Sequence, residues 1–488
     1  MTGLLILAVF VALAVMMYLG KMPAILALPV LAIALTLAAG TPFYFAASSA
    51  DLSFLNRLSG ALSDSMQLAF GVVVADGIGR LQVAIFTVMI GGVFGYFLKL
   101  SGVGESLVRK VAELAGDKPF SLCLILTLVV TFLFTTLSGL GSVILVANVY
   151  FPVLLSLGVP PLIAGSLFLM GFSLGGVFNI VNWAFYTDLL NMSQQDVMKF
   201  ALPFGMIFFA VLLVFLVVEF KKARLPVPVD SLVKSVLGII LLVALAVWLK
   251  SGAVLGESSY AAIQMLFKIF MVLLFCLPLT TKKYPWLAML TPFIPISLVL
   301  VLGWSINPAF LLGIAFLFIA IKNQPGQESL SGRSRMLIQS MIEGMQSVIP
   351  AVAVMMGIGM VLIAVNQPPI KASLNPLLLI VLPQSKLYYI AFFTILAPLA
   401  LYRGPLNLWG MGSGLMGLMQ QTGLLSGFSL LAAFFSTGQI QGVCDPTNTH
   451  NVWIANQLKI ELNAILTKTL PYIWVLAFLG LILGAYGG

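Results

Sequence analysis

Groups able to do chemistry are scarce in this chain. Its 488 residues hold 24 Lys and Arg, 15 Asp and Glu, and one His. Four runs concentrate polar groups inside otherwise apolar sequence. They are Ser138-Gly139-Leu140-Gly141-Ser142, Tyr402-Arg403-Gly404-Pro405-Leu406-Asn407, the stretch from Ser173 to Asn182, and the stretch from Gly438 to Asn451. Arg403 lies in an apolar stretch, where a cation is costly and is by default functional. Its planar fork suits a carboxylate or phosphate. The structural alternative is an Arg403 at the outer surface or paired with a carboxylate. Asp445 and His450 could carry a coupling proton, because desolvation favours a protonated carboxyl and imidazole titrates near neutrality. Asp445 could equally help bind Na+, or cap a helix opened by Asp-Pro-Thr-Asn. His450 has a structural alternative too, lying toward the cytoplasmic exit.

Ser138, Ser142, Asn179, Asn182, Asn407, Thr447, Asn448 and Thr449 supply neutral donors and acceptors around these charges. They suit a carboxylate ligand or a desolvated cation, and some of them should cap half-helices. Gly139, Gly141 and Gly404 would let backbone approach a substrate with no Cβ in the way. A Na+ site could draw on Gly139, Asn182, Asp445 and Asn448. Cys444 reads as an apolar filler, Lys268 as a snorkelling lysine, and Asp76 and Glu343 as caps at helix starts. One histidine and three scattered cysteines offer no metal cluster, and no G-x-x-x-x-G-K-[ST] occurs. An enzyme, a resident metal and a cofactor other than a coupling H+ or Na+ are therefore not expected. A channel is left open.

The elements that must position these groups follow from composition. Apolar residues are 61% of the chain and charged residues 8%, which excludes an ordinary soluble, disordered or disulfide-framed protein. The fold class is an all-α polytopic membrane protein. Crossing a bilayer takes about 20 apolar residues. Candidate spans run over about 3–19, 23–40, 81–100, 200–219, 233–250, 262–280, 285–302, 305–322, 347–366 and 470–487. Residues 1–19 lack a basic n-region and read as a first span rather than a signal peptide. Stretches 119–158 and 387–422 each divide into two short helices around a polar, Gly-containing joint and read as re-entrant hairpins, with two full spans joined by a surface turn as the alternative. Stretches 161–190 and 424–460 are interrupted by Gly, Pro, Asn and Asp and read as broken helices. Unwound backbone survives at membrane depth only inside protein or beside a wet cavity.

The order repeats. Each half has two close spans, a more polar arm (about 51–79 and 325–345), a span, a hairpin, a broken helix and a final span. Asp76-Gly77 aligns with Glu343-Gly344 at an offset of 267, Gly139 with Gly404 and Gly158 with Gly423 at 265, and Asn179 with Asp445 at 266. The domains expected are a first repeat over 1–221, two linking helices over 222–284, and a second repeat over 285–488. Re-entrant hairpins make five spans per repeat and twelve crossings in all, so the repeats are inverted. Sixteen basic residues then fall on one face and six on the other, with Lys268 and Arg403 in the membrane. The positive-inside rule makes the richer face cytoplasmic and places both termini outside. The basic excess is a topology signal, so nucleic acid is not an expected partner.

This pattern resembles the ion-transporter superfamily, which includes citrate, gluconate and dicarboxylate permeases and related antiporters. The resemblance rests on the tips at Ser138–Ser142 and Arg403–Asn407 and on the breaks at Gly175–Asn182 and Cys444–Asn451. It implies a homodimer in a bacterial inner membrane, with a scaffold and a mobile domain working as an elevator. The paired Ser-Asn-Thr tips of the sodium–dicarboxylate branch are absent. The Asp-Pro-Thr-Asn-Thr-His stretch looks closer to the citrate and gluconate branches. The leading reading is H+ or Na+ symport of a small organic anion such as a di- or tricarboxylate or sugar acid. Hairpins and broken helices would form the moving domain, and the two opening spans of each repeat, with the arms, the scaffold. The alternative is a Na+/H+ or metabolite antiporter on the same scaffold.

Overall fold

The computed structural model describes residues 2–19, 21–115, 118–228, 257–280, 285–323, 329–410 and 412–487. The expected span at 233–250 lies outside them. Among the described residues every regular element is helical. In chain order these are α1 (Thr2–Tyr18), α2 (Ala24–Ala47), α3 (Phe54–Met66), α4 (Ala75–Gly79), α5 (Gln82–Leu100), α6 (Val103–Ala115), α7 (Pro119–Leu133), α8 (Leu140–Ser156), α9 (Pro161–Val177), α10 (Ile180–Leu190) and α11 (Gln194–Lys222). Then follow α12 (Glu257–Thr280), α13 (Phe293–Leu302), α14 (Ile306–Ala320), α15 (Leu330–Asn366), α16 (Pro368–Val381), α17 (Lys386–Leu396), α18 (Gly412–Thr422), α19 (Gly427–Cys444), α20 (Thr449–Leu458) and α21 (Leu462–Tyr486). Among the described residues seven helical segments are long and apolar enough to cross a membrane, and α9 with α10, bent by 51° at its break, makes an eighth if the pair is one span.

The polar arms are helical. A π-helical stretch over Gln67–Val74 joins α3 to α4, so residues 54–79 form one 26-residue rod long and apolar enough to span. Ala61, Ser65, Ala69, Val73 and Gly77 recur at four-residue spacing and are all buried. In an α-helix each such step drifts about 40° around the axis. The wider π turn offsets that drift and keeps the small residues on one face. Ser65 meets α2 there, where a Cβ on Gly40 would stand 3.0 Å from its Oγ. The second arm is continuous with its span, as the 37-residue α15.

Other expectations are corrected. The span at 285–302 divides into a 3₁₀ turn over Pro285–Leu290 and the ten-residue α13, because Pro292 and Pro295 remove backbone donors. Asp76 and Glu343 lie inside continuous helices and cap nothing. The first break is confined to Phe178-Asn179 and the second to residues 445–448. The Gly175-Gly176 pair stays helical, and a Cβ on Gly175 would stand 2.5 Å from Thr131 O, so that glycine serves close packing of α9 on α7. Two helices were unforeseen, α6 and α16, at corresponding places before each hairpin.

The chain forms two compact units. The first comprises Met1–Val88, Asn182–Val211 and Val348–Gly488, and the second Met89–Val181 and Leu212–Ser347. Each joins the opening helices and arm of one half with the hairpin of the other. The expected grouping, with both hairpins in one body and all opening spans in the other, is not the division seen. Two close glycine contacts, one in each unit, share the offset read in the sequence. In the first unit a Cβ on Gly77 would lie 2.4 Å from Met360 Cα, and in the second a Cβ on Gly344 would lie 2.8 Å from Val93 Cα. Adding 267 to 77 and 93 gives 344 and 360, so the two contacts join positions matched at that offset.

Candidate functional site

The first tip belongs to the second unit. Helix α7 ends at Leu133, Phe134 to Ser138 are irregular, and Gly139 enters α8 with φ +82° and ψ 161°. That left-handed φ favours glycine. Ser142 donates its hydroxyl to Ser138 O at 3.0 Å, and Gly139, Leu140 and Gly141 are exposed. Asn179 is buried and ties the first break to this tip. Its Nδ2 donates to Phe134 O at 2.8 Å and Leu137 O at 3.0 Å, and its Oδ1 accepts from Val181 N at 2.9 Å. These bonds satisfy carbonyls that the end of α7 would otherwise leave bare. Asn182 lies half-buried in the first turn of α10.

The second tip is in the first unit and is longer than its sequence suggested. After α17 a 3₁₀ turn runs over Ala397–Arg403, with Tyr402 in the left-handed region at φ 53°. Arg403 closes that turn. Gly404 is internal: a Cβ there would stand 2.1 Å from Leu399 O. Its missing side chain serves the loop's own fold rather than an approaching ligand. Asn407, 2% exposed, organises the rest. Its Oδ1 accepts from Trp409 N at 2.9 Å and its carbonyl from Gly410 N and Gly412 N. Trp409 stacks on Phe185 of α10, with centroids 4.7 Å apart at 18°, and Gln420 donates to Leu190 O. The sequence reading passed over both of these anchors.

The second break carries the charge. Asp445 is fully buried at the C-terminus of α19. Its Oδ1 accepts from Thr447 N at 2.8 Å and Thr447 Oγ1 at 2.7 Å. Its Oδ2 is buried with no hydrogen-bond partner among the described residues. The last carbonyls of α19 are met by side chains from the chain beyond: Asn448 on Gln441 O at 3.3 Å, His450 Nε2 on Gly442 O at 3.2 Å, and Asn451 Nδ2 on Val443 O at 3.0 Å. A carbonyl only accepts, so Nε2 carries the imidazole proton there. Asn451 Oδ1 is a further buried acceptor with no partner among the described residues. Thr447 and Thr449 are exposed. Thr469 Oγ1 lies 3.2 Å from Cys444 Sγ. The N-cap alternative for Asp445 is overturned: it ends one half-helix, and Asn448 occupies the cap of the next without a side-chain bond.

Two further charges were not foreseen at their sites. Asp188 of α10 accepts from Ala84 N at 3.1 Å and pairs with Arg80 at 3.6 Å, fixing the start of α5. In the second unit, Glu343 accepts from Tyr96 Oη and from Gln339 Nε2. Among the described residues no group of three or more His, Cys, Asp or Glu is placed to hold a metal ion.

No family model matches the chain, and no curated protein does. A solved structure does. The YdaH transporter of Alcanivorax borkumensis, whose crystal structure is described as revealing an unusual topology, matches over 96% of this chain and 98% of its own, with a TM-score of 0.57 and 16% identity. This chain shares that fold. The likeness is architectural and extends from end to end.

Proposed function

We propose that this protein is a secondary transporter that imports a small organic anion, a di- or tricarboxylate or a sugar acid, with H+ or Na+. The observation carrying the reading is Asp445: a buried carboxylate at a helix break, one oxygen held by Thr447 and the other without a donor. A buried unmet acceptor is costly unless a proton or cation fills it. Helix breaks at transport sites provide such acceptors for coupling ions. Sharing a fold with a transporter, and having many membrane-length helices, supports the class. Arg403 and the backbone of its own tip offer the anion a contact in this reading. Asp445, with Asn448 and Asn451 beside it, takes the coupling ion. An elevator mechanism, a homodimer, a bacterial inner-membrane location and external termini belong to the same reading.

The test is uptake of labelled succinate, citrate and gluconate by proteoliposomes under an imposed pH or Na+ gradient. Gradient-dependent uptake lost in both Asp445→Asn and Arg403→Ala is expected. Uptake unchanged in both variants sinks the assignment. A cation antiporter is the second reading, favoured by the single open oxygen of Asp445, for which two cations would compete. Collapsing the pH and Na+ gradients separately discriminates the two.

A further inference from the structure

Resting on that transporter reading, we propose that Lys99 is a specificity-determining residue of the first hairpin tip, contacting an anionic group of the substrate. Its position in the sequence, at the end of a span, made it a topology signal. The structure gives it a different neighbourhood. Lys99 Nζ stands 3.9 Å from the point a Cβ on Gly141 would occupy, beside the exposed first turn of α8. Gly95, one turn earlier on α5, faces the same tip: a Cβ there would stand in ordinary contact with Leu137 at 3.6 Å and Ser142 Oγ at 3.8 Å.

The ammonium is held without being neutralised by a contact. It sits 4.9 Å from the centroid of the Tyr96 ring, a cation–π arrangement that orients the group and leaves its N–H donors available. Glu343, which feels the Lys99 charge without an ion pair within 4 Å, is engaged by Tyr96 Oη and Gln339 Nε2. No carboxylate among the described residues forms an ion pair with Lys99 within 4 Å. A half-buried cation so placed raises the local attraction for an anion, and a point charge with rotatable donors accepts a carboxylate in several orientations.

The repeat gives an independent reason. At an offset of 265, Arg403 of the second tip falls on Ser138, so the first tip lacks a cation of its own. At an offset of 267, Lys99 falls on Asn366, whose amide donates to Leu362 O within its helix. Each half therefore supplies one cation to its tip, from a different element.

The experiment measures uptake of labelled succinate, citrate and gluconate by proteoliposomes carrying wild type, Lys99→Met or Lys99→Arg. Circular dichroism and gel filtration confirm that each variant is folded. Loss of one charge-assisted contact predicts a KM raised about ten- to hundredfold in Lys99→Met, with most of the affinity recovered in Lys99→Arg. Lys99→Cys should react with a positively charged thiol reagent and be protected by the transported anion. Wild-type uptake with an unchanged KM in Lys99→Met overturns this proposal and leaves the transporter reading standing. So does a Lys99→Cys whose labelling ignores the anion. A wild-type protein that takes up none of the three anions and is stabilised by none of them overturns both.

Discussion

Asn179 and Asp445 hold corresponding places in two similar turns, and the chemistry diverges at one atom. In each, Oδ1 accepts from the backbone N–H two residues on, Val181 in one case and Thr447 in the other. The remaining atom of Asn179 is an amide nitrogen, which donates to two tip carbonyls and closes the first break. The remaining atom of Asp445 is an oxygen, which cannot donate, and it is buried without a partner. One break is a staple and the other is an open acceptor. An amide in one break and a carboxylate in the other thus separate a fixed joint from a responsive one.

Exchanging the two groups tests this comparison most severely. Asp445→Asn gives the second break the amide that the first one carries. We expect coupled uptake to fall at least about hundredfold, since a lost ion ligand costs several kcal/mol, while the melting temperature holds or rises because a buried charge is gone. Retained uptake would end the idea that the open oxygen is used. The reverse exchange, Asn179→Asp, leaves Phe134 O and Leu137 O without donors and buries a charge. It should cost about 3–5 kcal/mol, read as a large drop in melting temperature and in yield of monodisperse protein. A variant as stable as wild type would show that the staple does not matter.

Smaller changes sharpen the picture at the tips. Gly404→Ala drives a Cβ onto Leu399 O and should destabilise by about 2–4 kcal/mol through forced backbone movement. Gly139→Ala meets open space and only a left-handed φ, a cost of about 1–2 kcal/mol. Thermal unfolding of both variants in one detergent ranks them, and the reverse order would contradict the account of the second tip as a self-packed loop. Thr447→Val removes one of two donors on Asp445 Oδ1 and keeps the backbone one. About a tenfold loss of uptake is expected, in line with a hydrogen bond to a charged group. No loss would mean the backbone donor alone suffices.

Much of this was legible from residue order. Gly158 and Gly423 end their hairpins with φ +76° and +67°, as their matched positions implied. The Asn179–Asp445 register also emerged from spacing, because local turn chemistry depends on few neighbours. The arms were misread for a reason local pattern cannot supply: a four-residue stripe of small side chains becomes a buried face only when a π stretch corrects its drift against α2 and α15. Helices α6 and α16 were missed because their mixed polarity resembles loop sequence until a partner covers one side. Lys99 was counted as a loop charge for the same kind of reason, since nothing near it in sequence announces a hairpin tip 42 residues later.

Sequence by itself determined that this chain is a helical membrane protein, where two of its long helices break, and that an acid stands in one break and an amide in the other. These are properties of composition, periodicity and covalent neighbours. Only the tertiary structure decided which oxygen of Asp445 lacks a donor, that Gly404 and Asn407 serve the tip's own fold, that Lys99 faces the first tip, and that each compact unit draws on both halves. Those outcomes depend on which groups meet across tens or hundreds of residues, and burial turns an unmade hydrogen bond or an unpaired charge from a detail into a cost.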